Sequence, residues 1–183
     1  VAFLVMLERT LSQFMRAAFA VDILRKPALD TAIKALAAVL VFAALLPAGL
    51  AHGLELLLAA LLLGRLAFWH PLKACTRLDI GIMYLGYLAI VAQLLIDALP
   101  PPGATGWVGT VAAHVFTFGA MGLVIPAMII RIANGHTGRK VIFGGFEKAV
   151  LWIMIAALVL RLVGPQFMPA AYLRWLDLAA ACW

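Results

Sequence analysis

Charged residues are scarce in this sequence. Only 12% of its 183 residues are charged, whereas 66% are hydrophobic, and the mean hydropathy is +1.10. This balance excludes an ordinary water-soluble domain, whose surface needs a far larger share of charged side chains. The apolar residues instead form several continuous stretches that are long enough to cross a hydrocarbon core, which takes about 20 helical residues. The composition therefore indicates an integral membrane protein.

The sequence also lacks the alternation of apolar and polar residues that a transmembrane β-barrel requires. Its apolar stretches are unbroken and rich in leucine and alanine. A helix satisfies its own backbone hydrogen bonds inside lipid, so these stretches are expected to be helical. The predicted fold class is thus all-α, a polytopic bundle of transmembrane helices.

Cysteine pairs and familiar enzyme motifs are missing as well. The two cysteines, Cys75 and Cys182, have no metal-type spacing, so we expect two free thiols. The sequence contains no Walker, dinucleotide-binding or Ser-His-Asp pattern, which argues against ordinary nucleotide and hydrolase chemistry. Whether the protein is an enzyme stays open at this point.

Proline, glycine and polar residues divide the chain into five complete spans. We expect these spans at residues 30–46, 54–69, 79–99, 107–133 and 146–163. Asp30 is expected to cap the start of the first span. A proline-rich turn at 100–103 is expected to end the third span, and Asn134 with Gly135 the fourth.

Both ends of the chain fall inside apolar segments. Residues 1–6 have the composition of the tail of a span, and a further partial span starts near residue 170. The polar and basic residues 7–29 predict a connecting loop with a short interfacial helix at 11–19. We expect residues 1–183 to form a single transmembrane domain, a fragment of a longer membrane protein. Its expected partners are the lipid bilayer and the missing N-terminal half.

Basic residues lie almost entirely on alternate connections between the spans. Of the fourteen Lys and Arg residues, all but Arg161 and Arg174 lie near one set of span ends. Basic residues close to span ends stay on the cytoplasmic side. The loop that contains His136 is therefore predicted to be cytoplasmic, and the loop at 97–106 to lie outside. The basic residues behind the net charge of +6 are distributed according to this topology and form no single basic stripe. A nucleic-acid partner is therefore not expected.

The fourth predicted span contains a histidine well inside its apolar run. At about 100° per residue, His114, Thr117, Phe118, Met121 and Ile125 share one helix face, whereas Gly119, Gly122 and Pro126 lie on another. An ionisable residue at this depth is a functional site by default. Imidazole is a common ligand of haem iron and copper. The alternative is a neutral His114 that is hydrogen-bonded to a backbone carbonyl or to Thr117, and both interpretations stay open.

The segment from His114 to Arg139 reads HVFTFGAMGLVIPAMIIRIANGHTGR. Together with the helix after it, it resembles the C-terminal part of the NnrS family. The resemblance is carried by His114, Gly119-Ala120-Met121-Gly122, Arg131 and Gly135-His136-Thr137-Gly138-Arg139. Leu85-Gly86-Tyr87 and the basic connection around Arg65 and Trp69 extend it over most of the chain. The family typically has a histidine directly before the Leu-Gly-Tyr run, where this chain has Tyr84.

The resemblance implies a protein of the bacterial inner membrane that carries haem b and copper and acts in the response to nitric oxide. It implies cofactor-binding roles for His114, His136 and Arg139. At Tyr84 it implies that the protein either uses the phenol oxygen as a ligand or lacks the site of the family histidine. As metal ligands we expect His114 and His52, since His52 is the outer histidine available as its partner. His114 and His136 are separated by about 30 Å of helix, so one iron cannot bind both.

Two other functions are compatible with the sequence. One is a membrane redox enzyme that acts on nitrogen oxides, which needs an open coordination position and an electron donor. The other is a transporter or a structural membrane module without a cofactor. A haem absorption band that co-purifies with the protein distinguishes the haem protein from the module.

The charge bias gives a testable topology. Single cysteines introduced at Thr137 and at Gly103, in a background without Cys75 and Cys182, should be labelled from opposite sides of the membrane. A membrane-impermeant thiol reagent applied to intact spheroplasts is expected to label position 103 and to leave position 137 unlabelled until the cells are lysed. Labelling of both positions from the same side would contradict the predicted orientation.

Overall fold

The computed structural model describes residues 1–99 and 106–183. Within these ranges the regular structure is entirely helical, without a strand. Five helices are long and apolar enough to cross a membrane, which confirms the predicted fold class. They are α2 (Pro27–Leu45), α3 (Ala48–Ala67), α4 (Leu78–Ala98), α5 (Val111–His136) and α6 (Gly145–Phe167). The turn expected at 100–103 lies outside the described residues.

The segment at the start of the chain is one continuous helix, α1 (Ala2–Phe19). The expectation of a loop from residue 7 with a helix only at 11–19 is therefore wrong. Leu4, Leu7, Leu11 and Met15 recur at helical spacing and are buried, so they form one packed face. Glu8 lies on that face, and its charge is compensated by Lys34 of α2 at 2.9 Å. The last helix, α7 (Tyr172–Cys182), begins after a short 3₁₀ turn.

Two helices, α2 and α3, begin earlier than the sequence predicts, because each starts at a proline or directly after one. Pro27 is the first residue of α2, with Lys26 as its N-cap, so Asp30 lies in the first turn and does not cap the helix. Pro47 directly precedes α3, since a proline lacks the N–H that a first turn leaves unpaired anyway. As a result His52 lies inside α3 and not in a loop.

The end of α5 also differs from the expectation. The helix continues through Asn134 and Gly135 to His136. The chain then turns at Gly138, whose φ of 69° is in the left-handed region that glycine adopts readily. The side-chain hydroxyl of Thr137 donates to the carbonyl of Ala133 at 2.8 Å and satisfies one of the last carbonyls of the helix.

Helix α4 lies at the centre of the bundle and packs against α1, α3 and α5. Its contact with α5 requires small residues on both helices. A Cβ added at Gly86 would overlap the Val124 side chain and lie 3.3 Å from the Ala120 carbonyl oxygen. A Cβ added at Gly119 would lie 2.8 Å from that of Ala89. The glycines thus allow the two backbones to approach closely, as in other membrane helix pairs.

The helices alternate in direction, and their ion pairs identify one end of the bundle. At this end α3 and α5 stop and α2 and α4 start, as shown by the pairs Arg65 with Asp30 and Arg131 with Asp79. The first turn of α6 lies there too, since Lys148 and Arg77 line one groove. We call it the basic end. His114 lies at the start of α5, toward the opposite end.

The close contact at Gly86 gives a matched test. Gly86→Ala should lower the free energy of unfolding by about 1–3 kcal/mol, because the added methyl group forces α4 and α5 apart. Gly64→Ala on α3, where nothing lies within 4 Å of the added Cβ, should leave stability unchanged or raise it by up to about 1 kcal/mol through helix propensity. Thermal unfolding of both variants in detergent measures the difference, and an equal effect of the two substitutions would contradict the close approach.

Candidate functional site

Helix α5 departs from regular α geometry directly after His114. Residues Val115–Met121 form a π-helical segment, and the N–H of Gly122 donates to the carbonyl of Thr117, five residues earlier. Such wide turns are rare and frequently occur at functional sites. The extra residue in the turn shifts the register of everything that follows it.

This shift corrects the predicted helix face. Gly122 and Pro126 were expected on a different face from Thr117, but the structure places all three along one groove. The prediction assumed 3.6 residues per turn throughout, whereas a π turn brings residues five apart into line. Gly119 is on the opposite side, against Ala89 of α4, as the prediction required.

The imidazole of His114 is partly buried and makes polar contacts through both nitrogens. Nδ1 lies 2.6 Å from the Thr110 carbonyl oxygen, and Nε2 lies 2.6 Å from a terminal guanidinium nitrogen of Arg161 on α6. A carbonyl can only accept and a guanidinium can only donate. His114 is therefore neutral in this arrangement, with its proton on Nδ1 and its lone pair on Nε2. Thr117 is not its partner, because that hydroxyl donates to Ala113.

Below His114 an apolar groove of about 300 Å³ runs along α5. Phe118 stacks against the imidazole with ring centroids 5.7 Å apart, and Trp183 packs edge-on against Phe118 at 4.7 Å. Met121, which lines the same groove, is 37% exposed. The apolar groove thus reaches the His114 ring through Phe118, while the Nε2 lone pair of that ring accepts from Arg161.

The His114 ring has one feature of a metal-ligating histidine, although its Nε2 accepts from Arg161 here. Histidine ligands typically donate their second ring N–H to a carbonyl or carboxylate, which fixes the tautomer and orients the ring, and the Nδ1 contact of His114 is of this kind. Copper fits less well, since it takes several N, S or O donors. In the two described ranges no three His, Cys, Asp or Glu side chains lie together as a metal site.

The other residues singled out from the sequence lie apart from His114. His136 and Arg139 are exposed at the basic end, and His52 is exposed on α3. Tyr84 is 2% exposed and donates its hydroxyl hydrogen bond to the Trp69 carbonyl at 2.5 Å. The polar contacts of the His114 ring are with Thr110 and Arg161 alone among the residues described. Arg161 is the residue that the sequence analysis missed, because it counted only as an orientation charge.

A second polar cluster surrounds Arg65, which is 2% exposed. Its guanidinium lies 4.6 Å from the Trp69 ring centre and donates to the Tyr87 hydroxyl at 3.2 Å. Asp30 at 3.4 Å and Glu8 at 3.5 Å supply the opposing charge. This cluster joins α1, α2, α3 and α4. The pairs thus connect the four helices at the basic end.

Asp79 forms the centre of a third cluster. Its carboxylate accepts from Arg77 at 2.7 Å and from Arg131 of α5 at 3.0 Å. The Arg131 guanidinium also lies 3.9 Å from the ring centre of Phe14 on α1, a favourable cation–π distance. Asp79 therefore connects the central helix to α5, and Arg131 extends the connection to α1.

Comparison with known proteins gives one match. The family model described as "NnrS protein" matches residues 1–183 of this chain. No curated protein matches, and neither does any solved structure. The match includes the His114 segment and the Arg65 and Asp79 clusters alike.

The Asp79 cluster can be tested for its structural role. Asp79→Asn should lower the free energy of unfolding by about 3–5 kcal/mol, because it leaves the Arg131 charge buried without its counter-ion. Asp22→Asn is the matched control, since Asp22 pairs with Arg16 at 2.6 Å but both side chains are more than 70% exposed. That substitution should cost less than about 1 kcal/mol. Equal unfolding temperatures for the two variants in detergent would rule out the proposed difference.

Proposed function

The chain belongs to the NnrS family, and we propose that this multi-pass membrane protein binds haem b through His114 in the bacterial response to nitric oxide. The observation that carries the haem proposal is the fixed tautomer of His114, whose Nδ1 hydrogen bond to Thr110 leaves the lone pair on Nε2. The link to nitric oxide and the inner-membrane location rest on the family resemblance.

In this proposal His114 would hold the haem iron through Nε2. The Thr110 carbonyl keeps the ring in place and makes the ligand nitrogen more basic. Arg161, which now donates to Nε2 at 2.6 Å, would give up that contact and pair with a carboxylate of the haem. A guanidinium binds carboxylates strongly and in a fixed geometry. The iron would supply a centre that binds a diatomic ligand or exchanges an electron.

The groove along α5 would receive the apolar part of the haem. Phe118, Met121 and Trp183 present flat or adaptable apolar surfaces there, which exclude water from the neighbourhood of the iron. Aromatic and methionine side chains pack well against an extended ring. A water-poor surrounding also raises the strength of the electrostatic contact between Arg161 and a bound carboxylate.

A second ligand of the haem and a copper site would need donors beyond those that the described residues bring together. His52, the candidate partner from the sequence, is exposed on α3. His136 and Arg139 are exposed cationic or polar groups at the basic end, where we place the cytoplasm. They are suited to bind an anionic group there, whereas the Tyr84 hydroxyl has its hydrogen bond inside the protein.

The roles of the two histidines of α5 can be separated by spectroscopy. In the full-length protein, His114→Ala should abolish or shift the haem absorption band, because it removes the Nε2 ligand. His136→Ala should leave the band largely intact, since about 30 Å of helix separates the two residues. Absorption spectra, with metal analysis of the same samples, provide the measurement.

Arg161→Met gives a further variant in this experiment. It should retain the axial ligand and therefore an absorption band, but with weaker haem retention because the carboxylate partner is lost. Bleaching by His136→Ala with an unchanged spectrum in His114→Ala would show that the two roles are reversed. Unchanged spectra in both variants would contradict a haem site on α5.

A further inference from the structure

A groove of about 710 Å³ lies at the basic end of the bundle, between the first turns of α4 and α6. It is separate from the groove below His114, which runs along α5. The connection before α4 contributes Arg77 to its rim, and the first turn of α6 contributes Lys148. Phe143, which is 2% exposed, forms part of its inner wall.

Both α4 and α6 contribute a row of lining residues that is polar or charged near the basic end and apolar further along the helix. On α6, Lys148, Trp152 and Ile155 line the groove, at spacings of four and three residues that keep them on one face. On α4, Leu78, Ile82 and Leu85 line it with the same spacing. Both helices start at the basic end, so the groove is cationic at its mouth and apolar about 10 Å further along.

The charge at the mouth is positive on balance. Lys148 is exposed, and the ion pairs of the described residues do not include it. The Asp79 carboxylate also lines the groove, but it is 5% exposed and already paired with both Arg77 and Arg131. The groove lining thus contains two cations, Arg77 and Lys148, and one carboxylate, Asp79, which leaves an excess of positive charge facing the groove.

We propose that this groove binds one anionic phospholipid of the surrounding bilayer. The phosphate would lie between Arg77 and Lys148, and an acyl chain would extend along Leu85, Trp152 and Ile155. A guanidinium and an ammonium group both donate to phosphate oxygens. Basic pockets between transmembrane helices on the cytoplasmic side recognise anionic headgroups in this way.

The depth of the groove favours a lipid over a soluble anion. Its apolar part lies between two helices that each have the length and composition to cross a membrane. Trp152 is 60% exposed and Ile142 is 59% exposed, so a soluble anion would leave these side chains uncovered. An amphiphile satisfies both the charged mouth and the apolar walls.

Native mass spectrometry of the full-length protein in detergent tests this proposal. The probes are phosphatidylglycerol and phosphatidylcholine with identical acyl chains, added at equal concentrations. One phosphatidylglycerol molecule should be retained at collision energies that remove phosphatidylcholine. Lys148→Gln should reduce that retention about fivefold, because one basic residue near an anionic headgroup contributes about 1 kcal/mol.

Lys140→Gln is the matched control. Lys140 is exposed in the connection before α6 and does not line the groove, so its substitution should leave retention unchanged. Trp152→Ala should weaken retention of both lipids equally, since it changes only the apolar wall. Equal retention of the two lipids, or equal losses in Lys148→Gln and Lys140→Gln, would overturn the proposal.

Discussion

The arrangement of the helices depends on the pairing of charges that they bury. Arg65 and Asp79 each have less than 5% of their surface exposed, and an unpaired ion in such surroundings costs several kcal/mol. Arg65 finds both of its carboxylates on other helices, and Asp79 pairs with Arg131 of α5 besides its neighbour Arg77, so the pairs between helices are complete in one relative placement of the helices. The pairs thus select that placement among the many that apolar surfaces alone would allow. Selection of this kind matters in a membrane, where lipid solvates an apolar helix face as well as another helix does.

The segments that carry the family resemblance have two different tasks in this structure. Gly86 and Gly119 allow α4 and α5 to touch, and Tyr87 holds Arg65 while donating to the Leu62 carbonyl at 2.9 Å. These residues stabilise the bundle. His114 differs from them, because one of its nitrogens contacts a cationic side chain of another helix and not the backbone. The segments that resemble the family therefore contain both packing residues, such as Gly119, and a candidate ligand, His114.

The fold could be predicted from the sequence because long apolar runs have few alternatives in lipid, and all five spans were found at nearly the correct positions. The loop expected after residue 6 was wrong for a physical reason. Charged residues such as Glu8 were judged singly, whereas Lys34 and Arg65 compensate that charge in the fold. His114 was found because an imidazole inside a span is unusual. Its contact with Arg161 depends on how α5 and α6 pack, which no local pattern in either helix contains.

The π-helical segment at Val115–Met121 determines which changes in the length of α5 its contacts can tolerate. Relative to a regular α-helix, the segment contains one residue too many, as if a single amino acid had been inserted after His114. Residues before it keep one phase and residues after it are rotated by about 100°. Regular α geometry with every residue kept would therefore turn Arg131 away from Asp79, whereas removal of one residue here would give a regular α-helix in which Arg131 still faces Asp79. The wide turn thus absorbs the extra residue and keeps two halves of one helix in phase, one for the histidine and the other for the buried ion pair.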